Sequence, residues 1–141
     1  MAAGSFTFYN SGKLKISNAT IDLDGDTFNA MMLTSAYTPN VATQSNLTDI
    51  VASEVSDADY SRQTLATVTV TETGGTVSWN SADISYGSAV TITAKYLALF
   101  STTASNDLVC YVDLDTGGGS VSSSNSTFQV SINANGIATI S

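Results

Sequence analysis

The sequence predicts an all-β fold, an antiparallel β-sandwich of jelly-roll or immunoglobulin-like type, on three observations. Short apolar runs alternate with polar residues at the two-residue period of strands. Turn signals rich in Gly, Asn and Asp separate these runs. Helical periodicity is confined to one stretch, so at most one or two short helices are expected, in the 40–63 region. The 141 residues make a single domain, 1–141, large enough for a real core, with 1–5 as an N-terminal arm.

Ser5–Asn10 alternates Phe6 and Phe8 with Thr7 and Tyr9 and reads as the first strand, ended by Asn10-Ser11-Gly12. Lys13–Ile16 fits a helical turn or a short strand. Asp24-Gly25 is a turn, and Thr27–Leu33 follows as a near-continuous apolar strand of the interior. Thr34–Gln63 is the irregular part. Within it Leu47, Ile50, Val51 and Val55 fall at helical spacing, with Asn46 as cap and Asp49 three residues on. Leu65–Glu72 and Thr76–Trp79 form a hairpin across Gly74-Gly75. Ser88–Phe100 is the longest run of strand character and is expected to be one central strand. Val90, Ile92, Ala94, Tyr96, Ala98 and Phe100 would share its apolar face. Leu108–Asp113 is a buried strand, and Gly117–Ser126 is flexible in composition. Phe128–Ile132 and Ile137–Ile140 are expected to pair across Asn135-Gly136.

Twelve acidic residues against four basic ones leave a net charge of −8. Nucleic acid and anionic membrane surfaces are therefore not expected partners, since both require Lys and Arg. Met1–Gly4 lacks the basic region and apolar core of a secretory signal, and no apolar run reaches membrane-spanning length. Synthesis and assembly in a cytoplasm are expected. The one cysteine, Cys110, lies in the apolar run LVCYV and reads as a buried hydrophobe.

The chemistry that the residues allow is sparse. No histidine is present, which removes Ser-His-Asp and Cys-His machinery. Asp22-Leu23-Asp24-Gly25-Asp26 departs from calcium-loop spacing, because position 12 is Leu33. Asp113 and Asp115 could face one cation but are two ligands only. Glu54, Asp57 and Asp59 form an acidic cluster that a glycosidase could use, and that solvated loops contain far more often. Trp79, Tyr86 and Tyr96 could make a sugar platform, or pack in the core. The three glycosylation-type sequons read as chance in a chain rich in Asn, Ser and Thr. No catalytic, cofactor or metal residue is assigned, and a non-enzymatic role is expected.

Several stretches resemble a family of small tailed-bacteriophage virion proteins. They are Phe8-Tyr9-Asn10, Ile21-Asp22-Leu23-Asp24 with Asp26-Thr27, Leu33-Thr34-Ser35-Ala36-Tyr37-Thr38-Pro39, Glu54-Val55 with Tyr60 after it, Trp79, Thr91–Tyr96 and Asn135-Gly136-Ile137. The chain departs from the family's pattern at Asp57–Arg62, where a Gly-rich turn is expected. The resemblance implies a structural protein of the virion. Its first form is a capsid decoration or cement protein on the outer head surface, with the major capsid protein as partner. Self-association is also implied, with a trimer favoured. The alternative is a tail or receptor-binding β module that recognises a host surface glycan. Open sheet edges need partners, and the uncharged arm Met1, Ala2, Ala3, Gly4 and Ser5 is expected to lie along a neighbour.

Overall fold

The computed structural model describes residues 2–141; Met1 lies outside the described residues. In chain order the elements are β1 (Thr7–Phe8), α1 (Asn10–Ser17), β2 (Phe28–Leu33), 3-10 turns at Leu47–Asp49 and Val51–Ser53, and β3 (Gln63–Thr64). They continue with β4 (Thr69–Thr73), β5 (Thr76–Asn80), β6 (Ile84–Val90), β7 (Thr93–Ala94) and β8 (Tyr96–Ser101). β9 (Asp107–Asp113), β10 (Val121–Ser122), β11 (Ser126–Val130) and β12 (Ala138–Ile140) complete the chain. The fold is all-β, and every strand pair is antiparallel. One five-stranded sheet has the order β1-β9-β8-β2-β3; beside it lie β12-β5-β4 and the pairs β10-β7 and β11-β6.

The five-stranded sheet is buried on both faces, which is why β2, β8 and β9 read as nearly unbroken apolar runs. On one face Phe28, Ala30, Met32, Leu97 and Leu99 pack with Trp79, Ile84 and Phe128 of the smaller sheets and with Ile92 between β6 and β7. On the other, Met31, Leu33, Ala98 and Phe100 pack under Tyr37 and Ile50 of the irregular segment. That cover is held by its own bonds. Asn46 Oδ1 accepts from Thr48 N at 3.2 Å, and Asp49 Oδ2 accepts from Asn46 N at 3.0 Å, a capping box that the sequence predicts. Beneath it the Tyr37 hydroxyl donates to Gln44 Oε1 at 2.7 Å, so Tyr9 donates to Tyr37 across 2.7 Å. Burial pushes the Tyr37 phenol up to about 12.

Four expectations are corrected. First, the α-helix lies at Asn10–Ser17, outside the 40–63 region, where only the two 3-10 turns occur. Gly12 does not break it. A Cβ there would stand 2.7 Å from the Val109 carbonyl oxygen and 2.8 Å from that of Leu108, so glycine lets α1 lie against β9.

Second, Ser88–Phe100 is not one strand. It divides into β6, β7 and β8, which belong to three different sheets. Ile92 and Ala94 share a core with Leu97 and Leu99, while Ala98 and Phe100 face the opposite core. A one-residue slip around Lys95 therefore reverses the facing parity. Val90, placed on the apolar face by alternation, is only half-buried.

Third, β11 and β12 do not pair with each other. β11 pairs with β6 and β12 with β5, so Asn135-Gly136 turns the chain from one sheet to another. Gly136 still needs its positive φ of 92°. Fourth, Gly117–Ser126 is not a free linker, because it contains β10 and the buried Ser123. The Leu65–Glu72 run is likewise shortened to β4 after Thr67, which sits at φ 53°. The Gly74-Gly75 hairpin is as expected, with φ of 60° and 89° and Thr73 opposite Thr76.

Candidate interaction surface

Among the described residues β12 has a strand neighbour on one side only, and so does β4, the other edge of the three-stranded sheet. All five residues of β4 are exposed. Cross-strand pairing puts Val70, Trp79 and Ala138 in one row and Glu72, Val77 and Ile140 in the next, on the same face. Thr69, Thr71, Ser78, Asn80 and Thr139 take the other face. Period-two alternation thus gives this small sheet an apolar side, which the body covers only in part. Trp79 is buried, while Val70 and Ile140 remain 37% and 69% exposed.

Two depressions flank β12, and Ala138 and Thr139 line both. The first, about 370 Å³, lies between α1 and the apolar sheet face. Lys13, Ile16 and Ser17 form the helical side, Val70, Val77, Trp79 and Ile140 the sheet side, and Phe8 and Leu23 complete it. The second, about 460 Å³, is a groove with Ala3–Phe6 on one side and residues 130–133 and 135–139 on the other.

The arm residues Ala3, Gly4 and Ser5 therefore do line an open groove. They are also tied to their own chain. Gly4 N donates to the Asp113 carbonyl at 2.8 Å, and Thr116 donates to the Ala2 carbonyl through N at 2.9 Å and Oγ1 at 3.1 Å. Ala2, Ala3 and Ser5 stay exposed. Met1, named with them, lies outside the described residues.

The acidic residues weighed in the sequence turn to the backbone or to cations. Arg62 grips Glu54 through two bonds of 2.7 Å, Nε to Oε1 and Nη2 to Oε2, and the Tyr60 hydroxyl donates to Oε1 at 2.9 Å. Burial raises the Glu54 carboxyl, but the Arg62 bonds, the Tyr60 bond and the Arg62 charge outweigh it and hold the group below its ordinary range. Asp59 Oδ2 accepts from Thr91 N at 2.8 Å and Asp57 Oδ2 from Thr93 N at 2.9 Å. Asp113 Oδ1 pairs with Lys95 Nζ at 2.8 Å, and the same ammonium donates to the Asp115 carbonyl. Asp22 Oδ1 accepts from Asp24 N at 3.0 Å, an Asx turn.

Tyr86 and Trp79 are core residues rather than a platform; the Tyr86 hydroxyl donates to the Ala30 carbonyl at 3.1 Å. Cys110 is fully buried, and burial raises its thiol well above the ordinary value. Three of the four basic residues are ion-paired: Lys15 with Asp107, Arg62 with Glu54, Lys95 with Asp113. Among the described residues Lys13 alone of the basic side chains has no ion pair. Sequence reading assigned no site role to Lys13, Ile16, Val70 or Ile140. The alternation of Val70 with Thr69 and Thr71, and of Val77 and Trp79 with Ser78, was the available signal; the missing information was that α1 stands opposite.

Comparison with known proteins adds no relative: no family model, curated protein or solved structure matches the chain.

Proposed function

We propose that this chain is a non-enzymatic structural protein of a tailed-bacteriophage virion. In this reading it is a decoration or cement protein bound to the outer head surface and assembled there from the host cytoplasm. The phage assignment rests on the resemblance of the Ile21–Asp24 and Leu33–Pro39 segments. The observation that carries an assembly role is the groove of about 460 Å³ between the exposed arm and the singly paired strand β12. An extended segment of the major capsid protein, or of a neighbouring copy, would add to that edge through main-chain bonds. Three copies would then group on the capsid as a β-sandwich trimer.

The test is occupancy on heads that lack the protein. Wild-type chain is expected to saturate heads and to raise their resistance to heat. A variant lacking residues 1–5 is expected to fold and to bind less. Full occupancy by that variant would remove the arm from the interface. Binding to isolated tails or host cells, with none to heads, would replace this reading with the tail or receptor-binding module.

A further inference from the structure

We propose that the cleft between α1 and the β12-β5-β4 sheet binds a small amphipathic anion, an aliphatic chain ending in a carboxylate. The cleft's size, about 370 Å³, is that of a small-ligand site. Its sheet side is Val70, Val77, Trp79 and Ile140, and Ile16 and Leu23 face them. Such walls favour an apolar body. Among the described residues the one cation on the lining is Lys13.

Charge decides what the ligand's polar end must be. The chain carries −8 overall, and its other basic side chains already hold carboxylates. Lys13 has no ion pair among the described residues, so its ammonium is open to an incoming anion. The nearest acidic residue on the sheet face, Glu72, does not line the cleft, and its Oε1 accepts from Gly75 N at 2.6 Å. Asp22 and Asp24 flank Leu23 but neither lines the cleft, and Asp22 Oδ1 accepts from Asp24 N. A carboxylate at Lys13 with its chain along Val77 and Trp79 satisfies both parts of the site.

Trp79 is the only tryptophan and lines the cleft, so its emission reports occupancy directly. Decanoate, decanol and a short carboxylate, acetate, are titrated into the full chain below micelle-forming concentrations. Decanoate is expected to give a saturable Trp79 change and to bind more tightly than decanol. Acetate is expected to give none. Lys13→Met should weaken decanoate about three- to fivefold and leave decanol unchanged, the scale of an exposed ion pair. Added salt should weaken decanoate alone. Ile140→Asp, at a side chain 69% exposed and so tolerated by the fold, should weaken both long probes. No saturable change with decanoate, or equal affinities in wild type and Lys13→Met, overturns the proposal. So does a Trp79 change that follows protein concentration alone with a sedimentation shift to dimer, which would put a second copy in the cleft.

Discussion

Gly12 sets how closely α1 lies on β9. Alanine there would gain about 1 kcal/mol in helix propensity. It would also drive a methyl group to 2.7 Å from one backbone carbonyl oxygen and 2.8 Å from another, where no side chain can yield. Overpacking of that kind costs about 1–3 kcal/mol, so Gly12→Ala is expected to lower the urea midpoint. Alanine at Gly74, which meets nothing within 4 Å, should cost only the strain of its φ of 60°, about 1–2 kcal/mol. Glu54 gives a pH dependence at the same scale. Its folded-state pKa lies below its ordinary value of 4.5, so the unfolded chain binds the proton more tightly. Its contribution is present in full above about pH 4.5 and is lost as pH falls through the lower folded value. Glu54→Gln should reduce the acid-side slope of stability between those limits. An unchanged slope in thermal melts would show that the Arg62 grip contributes nothing.

At the scale of elements, the break between β6 and β8 is the feature to explain. Thr91 and Thr93 give their N–H groups to Asp59 and Asp57. On the other side Ser123 N donates to the Ile92 carbonyl at 2.9 Å, and Ile92 N donates to Ser123 Oγ at 3.2 Å. Two loop carboxylates thus do the work of an adjoining strand, on the very loop where the resemblance leads one to expect a Gly-rich turn. Asp57→Ala and Asp59→Ala are each expected to cost about 1 kcal/mol, the typical net worth of one hydrogen bond, since both bonds are exposed. Amide exchange should quicken at Thr93 and Thr91 respectively, with β8 unchanged. Within the same segment Ile92, fully buried, and Val90, half-buried, separate clearly. Ile92→Asp should abolish cooperative folding, and Val90→Asp should leave it intact at a lower midpoint.

For the whole molecule, the proposed head binding would run through the exposed edges of the three-stranded sheet. Ile140→Lys places a charge on the β12 edge at a side chain 69% exposed. Stability should change by no more than about 0.5 kcal/mol, as at other surface positions. Head occupancy should fall, because edge lysines oppose strand addition. Binding of the wild-type chain should vary little with salt, since three of its four basic groups are already paired internally. Steep loss of occupancy at high salt would place an electrostatic interface elsewhere.

The all-β class, the buried β2 and β9, the Gly74-Gly75 hairpin and the Asn46 cap were legible because each rests on residues near one another in the chain. Alternation, a turn dipeptide and a capping pair are local physics. The expectation that Cys110 is a buried hydrophobe held for the same reason. What only the tertiary structure decided involves partners distant in sequence. Alternation in Ser88–Phe100 could not reveal the slip at Lys95, because both faces are apolar after it and the pattern stays satisfied. Asn135-Gly136 specified a turn but not which strands it would join. That Gly12 belongs to a helix lying on β9 was not legible, because the carbonyls it approaches belong to Leu108 and Val109. The cleft at Lys13 was invisible for that reason too: its walls come from α1, β4, β5 and β12, and only folding brings the Lys13 side chain to the edge of an apolar sheet face.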